Sequence, residues 1–158
     1  MIRLAVIGDI GSGKSHVAKL FGCPVFNADA EVSKLYKRNR KCYRKLNKAL
    51  PYYINSFPIN KRKLAEAIMF NKNNLKKIIK VIHPEIRKKM NIFIKKNKKN
   101  KIVILDIPLL IENKINKKSD IIIFVDAKKK EIYKRLKKKF NLNNENIKKL
   151  RKIQLPVE

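Results

Sequence analysis

The sequence predicts a three-layer α/β domain with a parallel β-sheet at its centre. Short, mainly apolar runs rich in β-branched side chains occur at residues 2–7, 102–105 and 121–125. Such runs are typical of strands that are covered on both faces. Segments with helical spacing separate them, and 158 residues are enough for one domain with a packed core.

The remaining elements follow the hydrophobic periodicity along the chain. A further short strand is predicted at residues 24–26. Helical segments are predicted at residues 16–21, 30–49, 61–99, 128–139 and 143–154. Pro84 lies inside the third of these segments and lacks the backbone N–H that a helix interior requires. It is therefore predicted in the first turn of a new helix.

The composition is strongly basic. Lys and Arg number 41 against 12 Asp and Glu, which gives a formal net charge of +29. Of these, 33 are Lys and only 8 are Arg, and the abundant residues Lys, Asn and Ile all have A/T-rich codons. We interpret the charge mainly as drift in base composition, because proteins that read nucleic acids rely on Arg. A real affinity for polyanions, through the attraction of any basic surface for phosphates, is the alternative.

Neither a membrane span nor a disulfide scaffold is expected. No apolar run approaches the ~20 residues that a membrane-spanning helix needs, and the first residues do not resemble a signal peptide. The two cysteines, Cys23 and Cys42, are far apart in the sequence and form no C-x-x-C motif. This pattern does not indicate a disulfide scaffold and suits a reducing compartment. We therefore expect a cytoplasmic location.

A complete phosphate-binding motif follows the first predicted strand. The segment Gly8-Asp9-Ile10-Gly11-Ser12-Gly13-Lys14-Ser15 satisfies G-x-x-x-x-G-K-[ST] and lies between a predicted strand and a predicted helix. In such a loop, backbone N–H groups surround the β-phosphate, Lys14 reaches the β- and γ-phosphates, and the Ser15 hydroxyl binds Mg²⁺. The expected ligand is a nucleoside triphosphate with Mg²⁺. The expected nucleotide-binding residues are Gly8, Ile10, Gly11, Ser12, Gly13, Lys14, Ser15 and His16.

Two carboxylates stand where parallel strands end. Asp29 follows the second predicted strand, where it can orient or deprotonate a hydroxyl that attacks the γ-phosphate. From position alone, a helix N-cap is an equally good interpretation of Asp29. Asp106 ends the third predicted strand, a usual place for a carboxylate that supports Mg²⁺, and a loop Asp without a role is the alternative.

A histidine and an arginine complete the set of candidates. His83 precedes Pro84 at the predicted helix start, where a neutral capping histidine is the simple interpretation. Arg135 lies on the basic helix after the fourth predicted strand. Such a helix can close over a nucleotide as a lid and stabilise charge in the transition state. A solvated basic face is the simpler interpretation of the same residues.

Taken in order, these segments resemble the dephospho-CoA kinase family along essentially the whole chain. The matching segments are Ile10-Gly11-Ser12-Gly13-Lys14-Ser15, Asn27-Ala28-Asp29, Ile59 to Ala65, Ile68-Met69-Phe70, His83-Pro84 with Arg87, Asp106-Ile107-Pro108-Leu109-Leu110-Ile111-Glu112, Val125-Asp126, Arg135-Leu136, and Arg151-Lys152-Ile153-Gln154-Leu155-Pro156. The P-loop is shared by many kinases. The D-I-P-L-L-x-E, H-P and R-x-x-Q-L-P segments are more specific to this family.

The resemblance implies a function and a division of the chain. The function is ATP-dependent phosphorylation of the ribose 3′-hydroxyl of dephospho-CoA, which gives CoA and ADP with Mg²⁺ as cofactor. The implied divisions are a core of residues 1–29 and 101–127, a helical CoA-binding insertion of residues 30–100, and a lid of residues 128–154. The implied site residues are Asp29 as general base, Lys14 and Arg135 at the transferred phosphoryl group, Asp29, His83 and Arg87 at the substrate, and Ser15 and Asp106 at the metal.

The sequence departs from the family pattern at several positions. Asn27 replaces the first Asp of an Asp-Ala-Asp motif, and His16 replaces a Thr. Asn60-Lys61 replaces Asp-Arg, and Lys139 replaces an Arg of the lid, whose role Arg135 or Arg151 is then expected to take. The family pattern continues beyond Pro156 with a further strand and a closing helix that this sequence does not contain. Four strands with an open sheet edge are therefore expected.

Two other functions are compatible with part of the pattern. A nucleoside monophosphate kinase shares the loop, the sheet and the lid, but the D-I-P-L-L-I-E and H-P segments do not favour a pocket for a nucleotide base. A basic P-loop protein that binds RNA or DNA accounts for the charge directly. It predicts Arg and aromatic residues clustered on one face, whereas the 7 Phe and 5 Tyr are scattered along the chain.

Overall fold

A computed structural model of the protein describes residues 1–107 and 119–140. In chain order its elements are β1 (Ile2–Ile7), α1 (Lys14–Leu20), β2 (Val25–Asn27), α2 (Ala28–Arg38), α3 (Arg40–Ala49), α4 (Lys61–Phe70), α5 (Lys72–Lys96), β3 (Ile102–Asp106), β4 (Ile121–Phe124) and α6 (Lys129–Phe140). The helix predicted at 143–154, and with it Arg151, lies outside the described residues.

The four strands form one parallel sheet in the order β2-β3-β1-β4. This confirms the predicted α/β fold with a parallel sheet. β1 and β3 lie in the middle, and the apolar side chains in the inner part of each strand are buried, namely Leu4, Ala5 and Val6 in β1 and Val103, Ile104 and Leu105 in β3. The sheet core includes a cluster of four buried side chains, Leu4, Val6, Ala18 and Ile104.

The chain divides into two compact units. One comprises residues 1–28 and 93–158 and contains the sheet, and the other comprises residues 29–92 and is helical. In the helical unit, asparagine side chains cap two helix starts, as Asn does well. Asn39 accepts a hydrogen bond from the backbone N–H of Cys42 at 2.8 Å, and Asn60 accepts one from that of Arg62 at 2.9 Å. The segment predicted as helical over 30–49 is therefore two helices, divided at Asn39.

The prediction that Pro84 begins a new helix is wrong. α5 runs unbroken from Lys72 to Lys96 with Pro84 inside it. Buried side chains continue at helical spacing on both sides of the proline, at Ile78, Ile82, Ile86 and Met90. Pro84 itself is exposed. Burial of one continuous apolar face outweighs the single backbone hydrogen bond that the proline removes.

The prediction that residues 121–125 form a central strand covered on both faces is also wrong. Within the described part of the chain β4 is an edge strand that pairs with β1, and Ile121, Ile122 and Phe124 are each 42 to 51% exposed. An apolar, β-branched run reports the preference for a strand. It does not report how many strands or helices will cover that strand.

Candidate active site

The P-loop leaves β1 through Gly8, where no other residue fits. Its φ is +143°, and a Cβ atom there would collide with the carbonyl oxygen of Val125. Val125 in turn donates a backbone hydrogen bond to the carbonyl of Ile7 at 2.8 Å. The loop therefore starts against the residue that follows β4, at the carboxyl edge of the sheet, where α/β folds bind their ligands.

Lys14 is held inside the loop by two backbone carbonyls. Its Nζ atom donates to the carbonyl oxygen of Gly8 at 2.8 Å and to that of Asp9 at 2.7 Å, and the residue is 9% exposed. The hydroxyl oxygen of Ser12 is buried and has no hydrogen-bond partner within the described residues. The loop thus presents an ordered ammonium group and a buried hydroxyl, which fits an anionic ligand such as a phosphate.

Asn27 connects Ser15 and Asp106, the two residues predicted to bind metal. Asn27 and Asp106 are register partners at the ends of β2 and β3. The Asn27 Nδ2 atom donates to Asp106 Oδ2 at 2.5 Å and to Ser15 Oγ at 3.4 Å. Parallel strands ending at one edge, with α1 beginning beside them, therefore gather a carboxylate, an amide and a hydroxyl.

These residues fit Mg²⁺ that arrives with a nucleotide. Asp106 is 2% exposed and supplies a carboxylate, and Ser15 supplies a hydroxyl oxygen. The described residues include no cluster of three or more His, Cys, Asp or Glu side chains that could hold a metal. Mg²⁺ commonly binds proteins through one or two carboxylates and completes its shell with water and substrate phosphates. One carboxylate and one hydroxyl are appropriate for that arrangement.

Helix α6 packs directly on the P-loop. Ile132 and Leu136 are each 1% exposed and pack against Ile10 of the loop. Gly11 has φ of +83°, and a Cβ atom there would lie 3.0 Å from Leu136 Cγ, tighter than nearly all real contacts. The absence of a side chain at Gly11 is what lets the helix approach so closely.

Arg135 projects from α6 onto the same loop. Its Nη1 atom donates to the carbonyl oxygen of Ser12 at 3.0 Å and to that of Gly11 at 3.3 Å. The guanidinium group therefore lies beside the nucleotide-binding loop. Lys139 and Arg151, the other two cationic candidates for the lid, have side chains outside the described residues.

The predicted substrate residues belong to the helical unit. Asp29 is the second residue of α2, in its first turn, and Asn27 ends β2 two positions earlier in the chain. His83 and Arg87 lie one turn apart on α5. The pKa of His83 is lowered from its ordinary value, first by burial and then by the positive charge of Arg87. A neutral imidazole is therefore favoured near pH 7.

Sequence reasoning assigned no role to Asn27 and saw it only as a departure from a motif. The signal that could have found it is its place at the end of a predicted strand. In a parallel sheet, residues that end neighbouring strands meet at one edge, and Asp106 also ended a strand. The sequence does not show that β2 and β3 are neighbours, because it does not give the order of the strands in the sheet.

Comparison with known proteins places the chain in a family. A family model described as "Dephospho-CoA kinase" matches residues 2–158. The chain belongs to the dephospho-CoA kinase family. Curated relatives with that name include one from Zymomonas mobilis, 33% identical over 130 residues that cover 80% of this chain and 66% of the relative. Another, from a Wolbachia of Brugia malayi, is 32% identical over 160 residues that cover 98% of this chain and 82% of the relative.

A solved structure agrees with this membership. The crystal structure of TT1252 from Thermus thermophilus matches with a TM-score of 0.76 and 27% identity, over 98% of this chain and 81% of that one. The comparisons confirm the predicted family, the P-loop kinase fold and the transferase class. They support ATP-dependent phosphorylation of dephospho-CoA as the function, and nothing in them favours a nucleoside monophosphate kinase or a nucleic-acid-binding protein. No helix in the described ranges has the length and apolar character needed to cross a membrane.

Proposed function

We propose that this chain transfers the γ-phosphoryl group of ATP to the ribose 3′-hydroxyl of dephospho-CoA. The observation that carries the proposal is the family match over residues 2–158, together with an intact P-loop in which Lys14 is ordered by backbone carbonyls. The products are CoA and ADP. The 3′-oxygen forms the new P–O bond, the bond from the γ-phosphorus to the β,γ-bridging oxygen breaks, and the hydroxyl proton must go to a base.

Positive groups at the loop neutralise the phosphates in this proposal. The Nζ atom of Lys14 turns from the carbonyls of Gly8 and Asp9 to the β- and γ-phosphate oxygens. The guanidinium group of Arg135 lies at the loop and stabilises negative charge on the transferred phosphoryl group. Charges that are already placed at the loop stabilise the transition state effectively, because they need no reorganisation when the phosphoryl group moves.

Mg²⁺ is the proposed cofactor, with Ser15 and Asp106 as its protein partners. Held there, it would neutralise negative charge that develops on the phosphates during transfer. Ser15 contributes a hydroxyl oxygen, and Asp106 holds its carboxylate at the end of β3, where it accepts a hydrogen bond from Asn27.

Asp29 is the proposed general base, and His83 and Arg87 are proposed to contact dephospho-CoA with it. A carboxylate hydrogen-bonded to the attacking hydroxyl orients it and accepts its proton. Arg87 offers a planar cation suited to the phosphates of the substrate, and the neutral His83 can donate or accept one hydrogen bond. We further propose that residues 30–100 form the substrate-binding insertion and residues 128–154 the lid, and that the protein acts in the cytoplasm.

An ADP-release assay tests this proposal. Purified protein is mixed with ATP, Mg²⁺ and one acceptor: dephospho-CoA, CMP or AMP, with RNA added separately as an effector. Turnover that depends on dephospho-CoA and is lost in Asp29→Asn supports the substrate and the base together. Turnover with CMP or AMP in place of dephospho-CoA, or stimulation only by RNA, would contradict the proposal.

A further inference from the structure

The amide of Asn27 has a defined orientation, fixed by what it contacts. Its nitrogen faces Asp106 Oδ2, and this carboxylate oxygen accepts the hydrogen bond that the amide donates. The 2.5 Å distance makes this a short contact to a nearly buried acceptor. An amide nitrogen carries two hydrogens, and Ser15 Oγ lies on the same nitrogen at 3.4 Å. One nitrogen therefore donates toward both proposed metal partners.

Three separate parts of the chain meet through this one group. Asn27 ends β2, Asp106 ends β3, and Ser15 lies in the first turn of α1. The register pair of Asn27 with Asp106 fixes their backbones side by side. The backbone of Asp106 is fixed and one of its carboxylate oxygens accepts a hydrogen bond. The side chain is therefore already restricted in rotation, and it loses less conformational entropy when a cation binds.

An aspartate at position 27 cannot do this. An ionised carboxylate has no proton to donate, and two carboxylates at the distance seen between Asn27 and Asp106 repel each other. The asparagine also gives the site one negative charge fewer than an aspartate at the same position would give. With an amide in place of a carboxylate at position 27, the site attracts a free divalent cation less strongly, and the phosphates of the nucleotide contribute more of the binding.

We propose that Asn27 is a positioning residue of the metal site, which fixes Asp106 and Ser15 for Mg²⁺ and makes metal binding conditional on the nucleotide. This inference rests on the proposed Mg²⁺–ATP site but not on the identity of the acceptor. Asn27 touches no reacting atom in this role. It acts through the orientation of Asp106, so its effect falls on the metal-dependent part of nucleotide affinity.

The first test is a binding experiment with a fluorescent ATP analogue, mant-ATP, in excess Mg²⁺ and in EDTA. Wild type, Asn27→Ala and the control Asn100→Ala are compared, since Asn100 is exposed and bonds only locally to Asn97 in its described contacts. In Asn27→Ala the gain in affinity that Mg²⁺ gives should fall about 10- to 100-fold, the usual effect of removing a partner of a metal ligand. In EDTA, the affinity of Asn27→Ala for mant-ATP should equal that of wild type. Asn100→Ala should equal wild type in both conditions.

The outcomes separate this inference from the proposed function. If Asn27→Ala keeps the full Mg²⁺ effect, the role of Asn27 is overturned while the kinase proposal stands. If wild type itself shows no Mg²⁺ effect, both the metal site and the role of Asn27 are overturned. If wild type fails to phosphorylate dephospho-CoA but shows a full Mg²⁺ effect that is reduced in Asn27→Ala, only the proposed acceptor is overturned and the inference about the metal site is supported.

A second variant guards against loss of folding in Asn27→Ala. Asn27→Asp keeps the size and shape of the side chain and adds a carboxylate. Its binding of Mn²⁺ without nucleotide is followed by electron paramagnetic resonance, with Mn²⁺ standing in for Mg²⁺. Cation affinity rises with the number of charged ligands, so binding by Asn27→Asp that is at least about tenfold tighter than that of wild type supports the proposal. Equal binding by the two proteins would overturn the claim that Asn27 makes the metal depend on the nucleotide.

Discussion

Arg135 donates a hydrogen bond to the carbonyl oxygen of Ser12 at 3.0 Å, across 123 positions of the chain. Phosphates are bound by the N–H groups of a P-loop rather than by its carbonyls. A donor on the carbonyl side therefore does not compete with the nucleotide. Leu136 of the same helix packs against Gly11, so the helix places a guanidinium group at the loop.

The first prediction concerns this guanidinium group. Arg135→Met should lower kcat by about a hundredfold or more, because it removes a charge proposed to stabilise the transferred phosphoryl group. Arg135→Lys should recover only part of the loss, since an ammonium group lacks the planar set of donors. Steady-state kinetics measure both, with the exposed Lys137→Met on the same helix as control. Equal kcat values in Arg135→Met and Lys137→Met would contradict the assignment.

The second prediction concerns Asp29. Asp29→Asn should lower kcat about 10²- to 10⁴-fold, the usual contribution of general base catalysis, with little change in ATP affinity. Glu31→Gln is the matched control, because Glu31 is the other acidic residue in the first turn of α2 and forms ion pairs with Lys34 and Lys89. Kinetics and equilibrium ATP binding are measured for both. A larger fall in kcat for Glu31→Gln than for Asp29→Asn would show that Asp29 is not the general base.

The third prediction concerns the titration of His83. Its pKa is lowered by burial and by Arg87, so Arg87→Met should raise it while burial still holds it below the ordinary value. The chain has only two histidines, so proton NMR can follow His83 with the His16 resonance as reference. An unchanged titration of His83 in Arg87→Met would show that the two side chains do not interact.

The same shift has a consequence for stability. Because the folded state disfavours the proton on His83, unfolding takes up a proton at acid pH. The stabilisation is present above the ordinary pKa of 6.5 and is lost as the pH falls through the folded-state pKa. His83→Gln should remove this part of the pH dependence of the free energy of unfolding, measured by urea denaturation at several pH values.

The fourth prediction concerns the ion pair that joins β1 to the residue before β4. Arg3 Nη2 lies 2.9 Å from Asp120 Oδ2, and the two side chains are 9% and 0% exposed. Arg3→Met leaves a carboxylate in a buried position, and should lower the free energy of unfolding by about 3–5 kcal/mol. The double variant Arg3→Met/Asp120→Leu should regain most of that loss. Chemical denaturation measures both, and a double variant no more stable than the single one would contradict the explanation.

The sequence was sufficient for the elements whose signals are local. β1, the P-loop and β3 follow from an apolar run, a glycine-rich motif and a second apolar run, and Asp106 ends its strand as predicted. The helix that carries Arg135 was likewise predicted within one residue at each end. In these places propensity, burial and motif all favour the same structure, so local reasoning succeeds.

The errors and omissions depend on contacts between distant segments. Pro84 stays within α5 because a buried face continues past it, and β4 is exposed because of its place in the strand order. The contact of Asn27 with Asp106 spans 79 positions. It requires β2 and β3 to be neighbours in register, which the periodicity of either segment does not encode.

The most direct test of the central claim is phosphorus NMR of the reaction mixture with ATP, Mg²⁺ and dephospho-CoA. The proposed function predicts a new phosphomonoester signal on the ribose 3′-position, formed in equal amount with ADP and about 10²- to 10⁴-fold more slowly in Asp29→Asn. ADP formed without a phosphorylated dephospho-CoA, or a phosphate at another position of the acceptor, would contradict it.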